Sequence, residues 1–331
     1  MQEKISVIGG GSWGTTIANL LSINGYSTIL YVLEKDVMDE INNLHTNNTF
    51  LKDVILDTNL VANLISNFSK NTAKNVVWAV PTIYSRQLAE KFSSCLENCS
   101  VLVASKGIET VSLKPVLSLM QEIVTANFSI LSGPTFALEV ANEKPTAVSV
   151  ASKKENESKM WQGKLSNNYF RVYTTKDTIG VELGGSMKNI IAIATGISDG
   201  LDFGYNARAG IITRGLAEIT KIGIKLGGIM ETFMGLSGVG DLVLTCTGDL
   251  SRNRQVGMKL AQGLNISEIR EGMKMIAEGV YTVKAAKILS EKFGVNMPIV
   301  EEVYNIIYEG KNAYASVIDL MNRPLKGERM F

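Results

Sequence analysis

Histidine is nearly missing from this chain: His45 is the only one among 331 residues. Cysteine occurs three times, at Cys95, Cys99 and Cys246. So few thiols make no disulfide framework and fit a reducing compartment. Cys95 and Cys99 have the spacing of a helix face, but His45 lies far from them in sequence, so no zinc site is offered and no metal is expected. An excess of one charge is missing too. Lys and Arg total 33, Asp and Glu 32, and the formal net charge is +1 with no run of basic residues. Sequence-independent nucleic-acid binding needs a surplus of cations, so no nucleic-acid partner is expected. One long uncharged stretch exists, residues 5–33, long enough to span a bilayer. Gly9, Gly10, Gly11, Gly14, Asn19, Asn24 and Gly25 interrupt it, and no cleavage site of the A-x-A kind closes it. A strand–turn–helix–strand unit explains the same residues better. No integral membrane segment and a cytoplasmic location are therefore expected.

Hydrophobic residues make up 45% and charged residues 20%, the balance of a globular protein with a sizeable core. The length suits two domains. In the first half, short apolar runs at residues 5–8, 28–33, 76–80, 101–104, 129–131, 147–150 and 170–173 read as strands. Helical patterns lie between them, at 15–24, 85–94 and 114–125. Buried parallel strands read as continuous apolar runs, and strands alternating with helices imply βαβ units. The expected fold is α/β, a doubly wound sheet in residues 1–177. Residues 153–159 (KKENESK) read as a solvated helix face. From residue 178 to 331 the pattern is mainly helical, with helices expected at 181–197, 207–226, 254–262, 280–293 and 299–308.

Residues 9–14 (GGGSWG) match G-x-G-x-x-G between an apolar strand and a helical pattern. In that setting Gly9 makes the tight turn, Gly11 lets the backbone approach a pyrophosphate, and Gly14 lets helix and strand pack closely. Backbone N–H groups at the helix start then meet the anion. Glu34 lies about 20 residues beyond Gly14, the spacing at which a carboxylate binds the adenosine ribose of NAD and opposes a 2′-phosphate. Lys35, beside it, is the counterargument.

Several separated motifs go further. Residues 9–16 (GGGSWGTT), 79–82 (AVPT), 105–109 (SKGIE), 131–140 (LSGPTFALEV) and 181–200 (VELGGSMKNIIAIATGISDG) come first. Then follow 212–219 (ITRGLAEI), 235–247 (GLSGVGDLVLTCT), 251–254 (SRNR) and 277–280 (AEGV). In this order, over nearly the whole chain, they resemble the NAD(P)-dependent glycerol-3-phosphate dehydrogenases of the bacterial type. That resemblance implies a Rossmann domain, residues 1–177, and a helical substrate-binding and catalytic domain, residues 178–331. It implies interconversion of dihydroxyacetone phosphate and sn-glycerol 3-phosphate with NAD(H), NADP(H) remaining open, feeding glycerophospholipid synthesis. It also implies roles for single residues. Ser12 and Trp13 would line the cofactor pyrophosphate, with Phe50 and Ala137 beside the cofactor. Lys106 would touch cofactor and substrate, and Gly133 and Thr135 the substrate. Lys188 would be the proton donor and acceptor. Asp241, Ser251, Arg252 and Asn253 would complete the substrate site, and Arg252, Ile276 and Glu278 would also touch the cofactor.

The residue chemistry is consistent with these roles. A lysine ammonium can donate a hydrogen bond to a developing alkoxide and then a proton. Lys188 follows Gly184, Gly185 and Ser186, small residues that leave room for a ligand. Lys106 follows a strand, where open α/β sheets bind ligands. Asp241 stands among apolar neighbours and needs a partner, for which Lys188 is the choice. An arginine fork suits a phosphate. Ser251 or Asn253 could equally cap the helix that follows, and Arg254 is expected to be the solvated one of the two arginines. Two other readings stand beside the first. One is a related reductase of a hydroxy acid or keto acid, the other a non-catalytic cofactor sensor; the presence of both lysines argues against the sensor. The sequence leaves the oligomeric state open, a homodimer included.

Overall fold

The protein is described from a computed structural model covering residues 3–69, 74–273, 276–325 and 327. The chain divides into two compact units. One comprises Met1–Lys106 and Val116–Thr178, the other Gly107–Pro115 and Ile179–Phe331.

The first unit is built on one sheet. Among the described residues its strands are β1 (Lys4–Ile8), β2 (Ser27–Val32), β3 (Val61–Leu64), β4 (Asn75–Trp78), β5 (Ser100–Val103), β6 (Asn127–Ser132), β7 (Thr146–Ala151) and β8 (Phe170–Thr175). Their order is β3-β2-β1-β4-β5-β6-β7-β8. The strands from β3 through β6 are parallel, β7 runs antiparallel to β6, and β8 is parallel to β7. β1, β4 and β5 are central and almost wholly buried, which is why they read as unbroken apolar runs. The chain leaves β1 toward β2 and β3, then returns to β4 on the other side. The order therefore switches between β1 and β4, and the turn after β1 lies at that switch point.

The uncharged stretch resolves into β1, the helix Ser12–Ile23 and β2. No helix among the described residues is long and apolar enough to cross a membrane. β3 has no counterpart among the expected strands. It is four residues long, its first residue is half exposed, and so short a run carries no clear period. The expected solvated face at 153–159 holds for Lys153, Lys154, Glu155, Asn156 and Lys159, which are exposed, but not for Glu157 and Ser158. The helix Glu155–Leu165 buries Glu157, whose carboxylate accepts the Ser100 hydroxyl at 2.5 Å. The Trp161 indole N–H donates to the same hydroxyl at 3.0 Å. A charged residue here belongs to the interior because a strand residue 57 positions away supplies its partner.

The second unit is helical. Its core is the helix Thr178–Gly200, around which pack Gly204–Lys225, Arg252–Ala261, Glu278–Phe293 and Pro298–Tyr308. Met187, Ile190, Ile191 and Ile193 of the central helix are fully buried. Two glycines bring helix backbones into contact. A Cβ on Gly196 would lie 2.0 Å from the Arg254 carbonyl oxygen, and one on Gly257 would lie 2.1 Å from that of Ile193. The start of Arg252–Ala261 is thereby fixed against the middle of Thr178–Gly200.

Candidate active site

In the first unit the glycine turn follows β1 directly. Gly9 has φ +116°, and a Cβ there would meet the Ala79 carbonyl oxygen at 2.5 Å. A Cβ on Gly14 would lie 1.9 Å from the Gly9 carbonyl oxygen. Both glycines are required by the protein itself. Gly11 is different. Its φ is −68°, open to any residue, and a Cβ there would meet nothing within 4 Å. Space is thus kept open in front of a helix start whose N-cap offers no side-chain hydrogen bond. First-turn N–H groups have no partner within their helix, so this cradle fits the diphosphate of a dinucleotide. The Trp13 indole nitrogen nearby is buried without a hydrogen-bond partner.

Other residues gather at the same turn. The Ser12 hydroxyl donates to the Phe50 carbonyl oxygen at 2.5 Å. The Thr16 hydroxyl donates to the Ala137 carbonyl oxygen at 3.2 Å. Glu34 is exposed, two residues beyond the end of β2, at the N-cap position of the helix Lys35–Leu44, where its side chain makes no capping hydrogen bond. That strand end is tied to the turn, since the Gly9 N–H donates to the Tyr31 carbonyl at 3.0 Å. Lys106, past β5, donates to the Gly133 carbonyl at 3.1 Å and to the Thr135 hydroxyl at 3.4 Å. Gly133 has φ +147°, and a Cβ there would press on Val148 at 2.9 Å. Lys106, Gly133 and Thr135 therefore form one cluster.

In the second unit a buried ion pair forms. Lys188, on the central helix, donates to the carboxylate of Asp241, which is fully buried. Lys188 also donates to the Thr245 hydroxyl at 2.8 Å, and that hydroxyl donates to the Asp241 carbonyl at 2.7 Å. Residues Leu236–Gly240 form a π-helical turn just before Asp241, a distortion frequent at functional sites. Asn253 spans two helices: it donates to the Asn189 side chain at 3.0 Å and accepts from the Gly279 N–H at 3.0 Å. It thus links the neighbour of Lys188 to the neighbour of Glu278. Arg252 is half-buried and donates to the Ile276 carbonyl at 3.1 Å. Burial lowers its guanidinium below the usual range, and the Glu278 charge opposes that shift. Ser251 caps the helix Arg252–Ala261 by accepting the Arg254 N–H at 3.3 Å.

The comparisons with known proteins agree with this layout. The description NAD-dependent glycerol-3-phosphate dehydrogenase N-terminus matches residues 4–158, and its C-terminus counterpart matches residues 177–317. The chain belongs to this family. A glycerol-3-phosphate dehydrogenase [NAD(P)+] of Solidesulfovibrio magneticus is 48% identical over 98% of this chain and 100% of its own. One of Syntrophotalea carbinolica is 47% identical over 98% and 99%. The crystal structure of glycerol-3-phosphate dehydrogenase from Coxiella burnetii is 35% identical, with a TM-score of 0.93 over 97% of this chain and 99% of that one.

Within the site, the structure adds one residue that the sequence reading missed and amends two local expectations. Thr245 was not singled out from sequence, yet it holds both members of the Lys188–Asp241 pair; its signal was the i, i+4 spacing from Asp241. Arg254 is buried rather than solvated. Its Nε donates to Asp199 at 2.7 Å and its Nη1 to Asp249 at 2.9 Å, while Arg208 holds the other Asp199 oxygen at 2.7 Å. Gly184 makes room for the chain and not for a ligand, because a Cβ there would lie 2.5 Å from the Ser237 carbonyl oxygen. No cluster of three or more His, Cys, Asp or Glu suited to a metal occurs among the described residues.

Proposed function

We propose that this chain catalyses the reversible reduction of dihydroxyacetone phosphate to sn-glycerol 3-phosphate with NAD(P)H. The observation that carries the reading is the buried Lys188–Asp241–Thr245 cluster, linked through Asn189 and Asn253 to the segment that carries Arg252. The nicotinamide, when bound, supplies hydride to the carbonyl carbon. The cradle at Gly9, Gly11, Ser12, Trp13 and Gly14 would hold the cofactor diphosphate, with Phe50 and Ala137 beside it. Lys188 donates a hydrogen bond to the carbonyl oxygen as it gains charge, then its proton, and so completes the alcohol. Asp241 and Thr245 fix the ammonium for that transfer. Arg252 pairs with the substrate phosphate and is kept in place by the Ile276 carbonyl and the Glu278 charge. The family resemblance gives the Lys106, Gly133 and Thr135 cluster a substrate-binding role as well. The reading places the product in glycerophospholipid supply and the chain in the cytoplasm. The test is NADH oxidation in the presence of dihydroxyacetone phosphate. Consumption of one NADH per substrate supports it; intact NADH binding without consumption supports a sensor instead.

The same reading assigns cofactor choice to Glu34. Its carboxylate accepts ribose hydroxyls and repels a 2′-phosphate. NADH should therefore have the higher kcat/KM, and Glu34→Ala should move the ratio toward NADPH. An unchanged ratio in the variant removes Glu34 from that role.

A further inference from the structure

The glycine turn contains a peptide that nothing in its own sequence holds still. The bond between Gly10 and Gly11 is flanked by glycine on both sides. Flipping it would carry φ of Gly11 from −68° to the positive side, which glycine alone tolerates freely. One orientation presents an N–H to the open space beside Gly11; the other presents a carbonyl oxygen, which repels an anion. Two side chains select between them. Asn47, fully buried, donates from Nδ2 to the Gly10 carbonyl at 3.0 Å and to the Thr15 hydroxyl at 2.8 Å. The Thr15 hydroxyl donates to the same carbonyl at 3.1 Å. In a trans peptide the C=O and N–H point in opposite directions. With the Gly10 carbonyl held toward Asn47, the Gly11 N–H is turned away from it.

Asn47 is itself well anchored. Its Oδ1 accepts the Phe50 N–H at 3.3 Å, and its carbonyl accepts the Leu51 N–H at 2.7 Å. On either side of it, Glu40 accepts from the Thr46 hydroxyl and from the Asn48 backbone and side chain, each at 2.8 Å. Burial would raise that carboxyl, but these bonds outweigh it and leave Glu40 below the usual range.

We infer that Asn47 is a positioning residue: it locks the Gly10–Gly11 peptide with its N–H toward the cofactor diphosphate. The inference rests on the reading of the glycine turn as the diphosphate cradle. Its ligand class is any adenine nucleotide with a diphosphate, so fragments of the cofactor can test it.

Asn47→Asp keeps the shape and removes both donated bonds. The Kd of NADH and the Ki of ADP-ribose should rise together by about tenfold, the scale set by one to two lost hydrogen bonds. The Ki of adenosine, which has no diphosphate, should stay within about twofold, as should kcat at saturating NADH. Thr15→Val removes one of the two holders isosterically and should shift the same quantities less. It decides the matter if Asn47→Asp does not fold. Equal losses for ADP-ribose and adenosine, or no loss of ADP-ribose binding in the folded variants, overturn the inference. Gly11→Ala separates the two levels, because its methyl meets nothing in the protein but stands in the cradle. Normal NADH binding by Gly11→Ala removes the cradle reading and this inference with it. Lost binding by Gly11→Ala beside normal binding by Asn47→Asp removes this inference alone.

Discussion

At the scale of single residues, the proposed chemistry concentrates on Lys188 and Arg252. Lys188→Ala should cut turnover by about 10²–10⁴-fold, the usual worth of a positioned acid–base group. NADH binding should persist, since the glycine turn belongs to the first unit. Lys188→Ala also strands the buried Asp241 carboxylate, and a lone buried charge is strongly destabilising. The double variant Lys188→Met, Asp241→Asn removes both charges; it should fold and remain inactive. Near wild-type turnover in either variant takes Lys188 out of the reaction. For Arg252 the discriminating change is Arg252→Lys. A point charge cannot replace the two-pronged fork on a phosphate, so KM for dihydroxyacetone phosphate should rise by about tenfold or more. Unphosphorylated dihydroxyacetone should lose much less; an equal loss with both would place Arg252 elsewhere. Asp241's need for a cation was legible in the sequence, because a carboxylate among apolar neighbours demands one; that the cation is Lys188 followed from the family resemblance and is what the structure shows. The burial of Arg254 was not. Its decisive partner, Asp199, stands 55 positions earlier, and local composition cannot report such a partner.

At the scale of elements, backbone contact between two helices sets where the SRN segment sits. Gly257 packs on the central helix so closely that a Cβ would lie 2.1 Å from the Ile193 carbonyl oxygen. That oxygen is backbone within a helix and cannot swing aside. Gly257→Ala should therefore cost about 1–3 kcal/mol, as overpacking does, by urea unfolding. It should also raise KM for dihydroxyacetone phosphate, because Arg252 and Asn253 ride on the same helix. A variant that loses stability with unchanged KM would show that the segment repacks independently. The central strands and long helices were legible because their periods are strong: β1, β4 and β5 are unbroken apolar runs, and the helix Thr178–Gly200 follows a run of small and apolar residues. β3 was not, being a four-residue edge strand with one half-exposed end. The role of Gly184 was misread for a related reason. Small residues beside Lys188 look the same in sequence whether they face a ligand or the chain's own Ser237.

At the scale of the whole molecule, stability is coupled to pH through buried titratable groups, and Glu218 is one that acts in the acid-to-neutral range. It lies on the helix Gly204–Lys225 and is 5% exposed. Its two oxygens accept the Ile299 and Val300 N–H groups, at 2.8 and 3.2 Å, at the start of the helix Pro298–Tyr308. Burial pushes its carboxyl up to about 7, against those two bonds and the nearby charges of Arg214 and Arg323. An unfolded chain would release that proton near pH 4.3. The folded state thus binds the extra proton between the two values, and stability from this group falls as pH rises from about 4.3 to about 7. The full penalty, on the order of 3 kcal/mol, is present above the folded value. Glu218→Gln keeps an acceptor for the helix N–H groups and carries no charge to desolvate. Urea midpoints of wild type and variant should lie close together near pH 5, and wild type should drop relative to the variant toward pH 7.5. A difference that stays flat across this range would mean that the helix start holds Glu218 ionised throughout, the two N–H bonds and the arginine charges outweighing its burial.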